Sequence, residues 1–323
     1  MTAAASPSPT LAERAAALRG LGWTAREAEW LALVCLHSGV FTRSQYQARY
    51  RLSKPTAGRF VSALLDAGIA REEPMPNRRG PEVFCHVHHR SVYRGLGIEN
   101  SRHRRRGAAD LIMRRLLSLD YVLEHEDLGW LPTEPEKVAY FQGLGIPVAT
   151  LPRRDYRGAS RRSTRRYFAF KLPVAGNGTA TTFVFADIGG RRRVQRERIR
   201  AWADAHGFLW QALRDCGCAV HVVAVTRTGD DAAVNAAILD SWRGEHAPAV
   251  PLPERDKGLL AAVDRARDTG DLAPLADYGG PIEATNAARA IREQERTARA
   301  AAGHIDAYRT HVAERLAPDP LAL

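Results

Sequence analysis

The stretch Ser53-Lys-Pro-Thr-Ala-Gly-Arg-Phe-Val-Ser-Ala-Leu-Leu-Asp-Ala-Gly-Ile69 decides how the chain is read. Ser53 is a suitable N-cap, Pro55 falls in the first turn, where an N–H is not needed, and Gly68 ends the run. Ala57, Phe60, Val61, Leu64 and Leu65 recur at helical spacing, so one face of this helix is expected to be buried. Ser53, Lys54, Thr56, Arg59 and Ser62 fall on the other side. Short polar groups and cations of this kind reach phosphates and base edges without blocking close approach.

Upstream, Thr24-Ala-Arg-Glu27 is a capping box that opens a helix carrying Trp30, Leu31, Val34 and Cys35 and ending near Gly39. A shorter helix from Thr42 has Tyr46 and Tyr50 one turn apart, and Arg51-Leu52 makes a tight turn into the Ser53 helix. Downstream, Ile69–Glu73 and Glu82–His88 are expected as two strands joined by Pro74-Met-Pro-Asn-Arg-Arg-Gly-Pro81. Helix, helix, helix, hairpin is the order of a winged helix-turn-helix, whose third helix lies in the major groove. Arg78 and Arg79 at the wing tip would then face phosphate. The competing reading is a helical unit used only for protein contacts.

The 323 residues allow several domains, and 45% apolar content suffices for their cores. No run of about 18 apolar residues exists, so no membrane span is expected. The N-terminus lacks the pattern of a signal peptide, and four cysteines without a framework fit a reducing cytoplasm. Net charge is +11; residues 150–200 hold 14 Lys/Arg against Asp155, Asp187 and Glu197, so the remainder sums to zero. A second basic knot, Arg102-His-Arg-Arg-Arg106, follows the wing. Concentrated positive charge is the footprint of a nucleic-acid binder, although a GC-rich genome also raises Arg usage.

In order along the chain, the expected parts are a tail and short helix (1–22), a winged helix-turn-helix (23–98) and a basic connector helix (99–129). An α/β domain (130–250) and a helical C-terminal segment (251–323) complete a multi-domain α+β or α/β architecture. Within the α/β part, Tyr167–Leu172 is expected to pair with Thr181–Asp187 across Gly176-Asn-Gly178. A helix with Ile199, Trp202, His206, Leu209 and Leu213 follows, then an almost wholly apolar strand, Ala219–Val225, and a helix over 231–242. The C-terminal segment is expected as one long helix from about Ile282 to Leu316, with Ile291, Ala298, Ile305 and Val312 every seven residues as a packing or dimer seam.

Three constellations carry possible chemistry. Asp187 ends a strand as the acid of a restriction-endonuclease-like fold does, but no Lys follows at Gly189 and Tyr167–Leu172 holds no carboxylate. One acid cannot hold two hydrated magnesium positions, and Arg191–Arg193 are expected to compete with a metal for the carboxylate. Cys85-His-Val-His-His89 alternates across a strand and cannot converge on a metal, and Cys216-Gly-Cys218 is too closely spaced for a zinc knuckle. Gly189-Gly-Arg-Arg-Arg193 places cations at a helix start, where an external anion would relieve them and the glycine N–H groups would be accessible. No catalytic residue, metal or cofactor is expected.

With Arg102–Arg106 and Leu131-Pro-Thr-Glu-Pro-Glu-Lys-Val-Ala-Tyr-Phe141 laid out, the chain resembles winged-helix proteins of the replication-relaxation type from plasmids and integrative elements. The resemblance spans roughly residues 20 to 230 and departs at the missing Lys after Asp187. It implies DNA binding in the control or replication of a mobile element. The expectation is therefore a cytoplasmic, homodimeric, sequence-specific regulator of double-stranded DNA. Its contacts would come from Ser53, Lys54, Thr56, Arg59, Arg78, Arg79, Arg102, Arg104, Arg105, Arg106, Arg191, Arg192 and Arg193. A metal-dependent nuclease or replication/relaxation accessory protein is the alternative, and a protein-binding adaptor a third. The operator, the direction of control and any small-molecule effector are not encoded in a readable motif.

Overall fold

The computed structural model describes residues 9–76, 82–157, 163–168, 172–243, 252–301 and 304–316. Its fold is mixed α+β. Capping boxes open α1 (Leu11–Arg19), α2 (Ala25–His37) and, after the two-residue strand β1 (Val40–Phe41), α3 (Arg43–Tyr50). The helix around which the sequence was read is α4 (Lys54–Asp66), followed by β2 (Ala70–Pro74), β3 (Val83–Val87) and α5 (Arg90–Gly95). The three strands form one antiparallel sheet in the order β1-β3-β2, with Val40 opposite His86 and Ala70 opposite Val87. Helix α4 buries Ala57, Phe60, Val61 and Leu64. Trp30, Phe41, Tyr46 and Phe60 meet there, Tyr46 and Phe60 with ring centres 4.5 Å apart and Trp30 edge-on to Phe41 at 5.3 Å. Aromatic pairs of this kind add about 0.5–1.5 kcal/mol each beyond the area they bury.

The connector differs from its expectation. Arg102–Arg104 is a 3₁₀ turn, and the helix, α6 (Ala109–Glu124), starts well after Asn100. The cause is Arg115, a buried cation whose guanidinium donates to the carbonyls of Arg102 (3.1 Å), His103 (3.4 Å) and Arg105 (3.4 Å). Those carbonyls are diverted from helical bonding, and in return their dipoles compensate a charge that has no carboxylate. Gly39 permits the turn to dock: at φ +77° its hypothetical Cβ would lie 2.5 Å from the His103 carbonyl oxygen. Helix α6 is buried on both sides, its Leu119 in the core of the N-terminal unit and its Leu116, Leu117 and Tyr121 in the core of the larger sheet.

Beyond it come α7 (Glu134–Gly143), the ribbon β4 (Arg153–Arg157) and β5 (Ser163–Tyr167), and the hairpin β6 (Val174–Gly176) and β7 (Ala180–Ala186). The long α8 (Arg192–Asp215) crosses to β8 (Ala219–Thr226), which leads into α9 (Gly229–Asp240), α10 (Glu254–Thr269), α11 (Pro281–Ala301) and β9 (Ala307–Val312). The sheet order is β6-β7-β8-β9, antiparallel at its first pair and parallel at the other two. The Asn177-Gly178 turn is where the sequence places it, but its first strand is Val174–Gly176. The basic stretch between α7 and this hairpin contributes a separate two-stranded ribbon, with Arg154 opposite Arg166.

The largest correction concerns the C-terminus. No helix runs to Leu316: α11 ends at Ala301, and Ala307–Val312 enters the sheet beside β8. Ile305, expected in a helical seam, is fully buried in the sheet core, and Val312 lies opposite Thr226. Tyr308, Thr310 and Val312 are β-formers, and β8, apolar on both faces, offers an edge to pair with. The sevenfold spacing was coincidental. The α/β unit is therefore completed by residues far beyond 250, and the 251–323 segment is not wholly helical. No helix among the described residues is long and apolar enough to cross a membrane.

Candidate nucleic-acid interface

Helix α3 ends at Arg51, held left-handed at φ 52°, and the chain turns directly into α4. This fixes the solvent face of α4, where Lys54, Arg59 and Ser62 are exposed and Thr56 is half-buried. The Ser53 hydroxyl does not cap the backbone; it lies 3.0 Å from the Thr56 hydroxyl, to which Arg59 Nη2 donates at 3.4 Å. Neighbouring arginines are neutralised. Arg43 grips Glu72 with two bonds of 3.0 and 2.9 Å, Arg49 pairs with Glu29 and Glu126, and Arg71 pairs with Glu73. Arg51, Lys54 and Arg59 have no carboxylate partner among the described residues. Uncompensated charge is thus gathered on one end of α4 and the turn before it. Arg51 was missed from the sequence as a candidate contact; the structure places it, exposed, in the turn that leads into α4.

Arg78 and Arg79 lie outside the described residues. The Arg102–Arg106 knot is not a helix laid along a duplex. The Arg102 guanidinium stacks 4.4 Å from the Tyr156 ring centre, His103 is buried and Arg104 is half-buried. Arg105 is exposed, and the exposed Arg106 lies 3.3 Å from Glu73. Of this group only Arg105 is exposed without a carboxylate partner among the described residues.

At the start of α8, Arg191, Arg192 and Arg193 are exposed, Arg193 pairing with Glu197 at 2.9 Å. Of the two glycines expected to offer N–H groups at this helix start, Gly190 is exposed and Gly189 is already used. Gly189 is buried and its N–H donates to Asp187 Oδ1 at 3.2 Å, so it is not open to an outside ligand. A carboxylate at the N-terminal end offsets the cations that follow it.

Asp187 itself is 1% exposed and fully engaged. Besides Gly189, it accepts from Gln195 Nε2 (3.2 Å) and Asn235 Nδ2 (2.8 Å), and Arg198 Nη2 lies 3.5 Å away. Its nearest cation is therefore Arg198, not Arg191–Arg193, which point to solvent. Nor is it alone: Asp231 on α9 accepts from the same Gln195 amide at 2.6 Å and from the Thr228 hydroxyl at 2.8 Å. The positions around the two acids where a metal would coordinate are filled by amide and guanidinium donors. Comparison with protein-family models, curated proteins and solved structures finds no match to this chain.

The strand β9 also brings His311 beside Asp120 and Glu124 of α6, their ligand atoms within 4.8 Å of one another. Arg315 Nη1 occupies the centre of this group, 3.4 Å from both Asp120 oxygens and 2.5 Å from Glu124. The guanidinium stands where a cation would, and it ties the last described residues to α6. Of the sequence's other metal candidates, Cys85 is in the core and His86 Nε2 lies 3.0 Å from the His103 carbonyl, away from it. His206 is a core residue whose Nδ1 lies 2.7 Å from the Trp202 carbonyl.

Proposed function

We propose that the chain is a sequence-specific double-stranded DNA-binding regulator in which α2, α3, α4 and the β1-β3-β2 sheet act as a winged helix-turn-helix. The observation that carries this reading is that Arg51, Lys54 and Arg59, on and before α4, have no carboxylate partner among the described residues, whereas neighbouring Arg43, Arg49 and Arg71 do. Exposed cations without a carboxylate partner are free to neutralise phosphates, with release of the counterions condensed on the duplex. In the same reading Thr56 and Arg59 contact base edges, while Arg105, Arg106 and Arg191–Arg193 contact phosphates. The sheet β6–β9 is a reduced restriction-endonuclease-like scaffold without activity, because the groups around Asp187 serve its hydrogen bonds. Control of a plasmid or integrative element follows from the resemblance to replication-relaxation proteins.

Dimerisation had its support in a helical seam that β9 replaces beyond Ala301, so operator symmetry is left to the experiment. The test is selection from a random duplex library by purified protein. Enrichment of one motif by the wild type, lost when Thr56 and Arg59 are both replaced by Ala, is expected. Equal enrichment by both proteins would remove α4 from the major groove.

A further inference from the structure

A cavity of about 980 Å³ opens between the N-terminal unit and the α/β unit. One wall is built by Arg14, His37 and the Leu96–His103 segment, the other by the first turns of α7 together with Tyr156, Phe168 and Leu172. Its volume is that of a small-molecule site. Lys137 stands on this wall, only 5% exposed. Its Nζ donates to the Leu172 carbonyl at 3.0 Å and lies 5.6 Å from the centre of the Phe168 ring.

An ammonium group has three N–H donors, and Lys137 uses one of them on a described residue. The acids nearest in sequence are engaged elsewhere. Glu136 closes the α7 capping box and pairs with Arg14; Glu134 accepts from the Tyr167 N–H at 3.0 Å and lies 3.6 Å from Arg166. No carboxylate among the described residues pairs with Lys137. His37, 9% exposed, contributes an imidazole to the same cavity without a hydrogen bond to any described residue. Burial, with the charges of Lys137 and Arg14, pushes its pKa down to about 3, so the ring is neutral and able to donate. Burial likewise lowers the Lys137 ammonium to about 8. Glu134 and Glu136 also line the cavity and favour the Lys137 ammonium, but each is bonded to another group and neither pairs with Lys137.

We infer that this cavity is a binding site for a small molecule bearing one carboxylate or phosphate on an apolar body, with the anion at Lys137 and His37 and the body against Phe168, Leu36 and Leu172. Lys137 spends one donor on the Leu172 carbonyl, and an anionic head would give its remaining N–H groups and the His37 ring an acceptor. The apolar side chains match an aromatic or aliphatic body. The site would answer the open question of an effector, since its two walls belong to the two units. That consequence rests on the DNA-binding reading; the site itself does not.

The test uses the full chain and two fluorescent probes with similar aryl bodies, anionic 8-anilinonaphthalene-1-sulfonate and neutral N-phenyl-1-naphthylamine. The sulfonate stands in for the carboxylate or phosphate. Lys137→Met should weaken the anionic probe about tenfold or more and the neutral probe less than twofold, whereas Lys137→Arg should restore the anionic probe. In the wild type, affinity for the anionic probe should fall as pH rises from 7 to 9.5 while affinity for the neutral probe stays level, a measurement that needs no variant to fold. Equal affinity of Lys137→Met and wild type for the anionic probe, or an affinity independent of pH, would overturn the inference. Because no DNA is present, either result leaves the role of α4 to its own experiment.

Discussion

Replacing Asp187 with Ala perturbs a buried, multiply bonded group in the α/β unit. The carboxylate accepts from the Gly189 N–H, the Gln195 amide and the Asn235 amide, with Arg198 alongside. Bonds to a charged acceptor contribute roughly 1.5–3 kcal/mol each, but the three are coupled and do not add. Removing one partner of a buried charged cluster typically costs about 3–5 kcal/mol, because the remaining donors are stranded away from water. Asp187→Ala is therefore expected to lose about 3–5 kcal/mol out of a total stability of roughly 5–15 kcal/mol. At about 2–4 °C per kcal/mol for a chain of this size class, the midpoint should fall by roughly 10 °C. Urea unfolding followed by tryptophan fluorescence, with calorimetry beside it, measures both quantities. DNA binding by the folded fraction should be unchanged or slightly tighter, since a negative charge leaves a basic region. The reasoning fails if the variant is as stable as the wild type or more so. Loss of a metal-dependent nicking activity in the same variant would give the enzyme reading the advantage.

Three further outcomes are expected. Gly39→Ala should destabilise by more than about 2 kcal/mol, because its Cβ would meet the His103 backbone at 2.5 Å; a neutral effect in urea unfolding would mean that the Arg102–Arg104 turn is not docked as described. His206 is held neutral by burial, its pKa lowered to about 4 from an ordinary 6.5. As pH falls from about 6.5 to 4 the unfolded chain takes up a proton that the folded chain refuses, so stability drops by roughly 3 kcal/mol across that window and no further below it. His206→Phe should flatten that limb, and an unchanged stability–pH profile would contradict the assignment. Ending the chain after Ala301 should unfold the larger sheet, because β9 supplies its edge; a truncated protein with a native circular-dichroism spectrum and melting curve would restore the C-terminus to a dispensable role.

What the sequence revealed was local, and what it hid was long-range. The capping box at Thr24 and the helix start at Thr42 fall where the structure places them, because the signal lies within four positions. Strand β8 was legible from its unbroken apolar run, and the Asn177-Gly178 turn from its residue types. By contrast, β9 is a strand because of a neighbour more than eighty residues away, and its own seven-residue spacing imitated a helix. The late start of α6 follows from Arg115 reaching back to three carbonyls, which no local pattern announces. Around Asp187, sequence showed the acid and the missing Lys; Gln195, Asn235, Asp231 and Arg198 were brought in by two helices. The basic residues were visible from composition. Which of them lack a carboxylate partner among the described residues was not.

The most direct test of the central reading is the affinity of wild type and Arg59→Ala for a selected duplex and for a scrambled one, each measured by anisotropy across a salt series. Arg59→Ala should lose about 1–3 kcal/mol on the selected duplex and much less on the scrambled one, so that the specificity ratio collapses. Lys54→Ala, a phosphate contact, should weaken both duplexes alike and reduce the salt slope by about 0.9. Equal losses on both duplexes for Arg59→Ala, or none on either, would contradict base readout by α4.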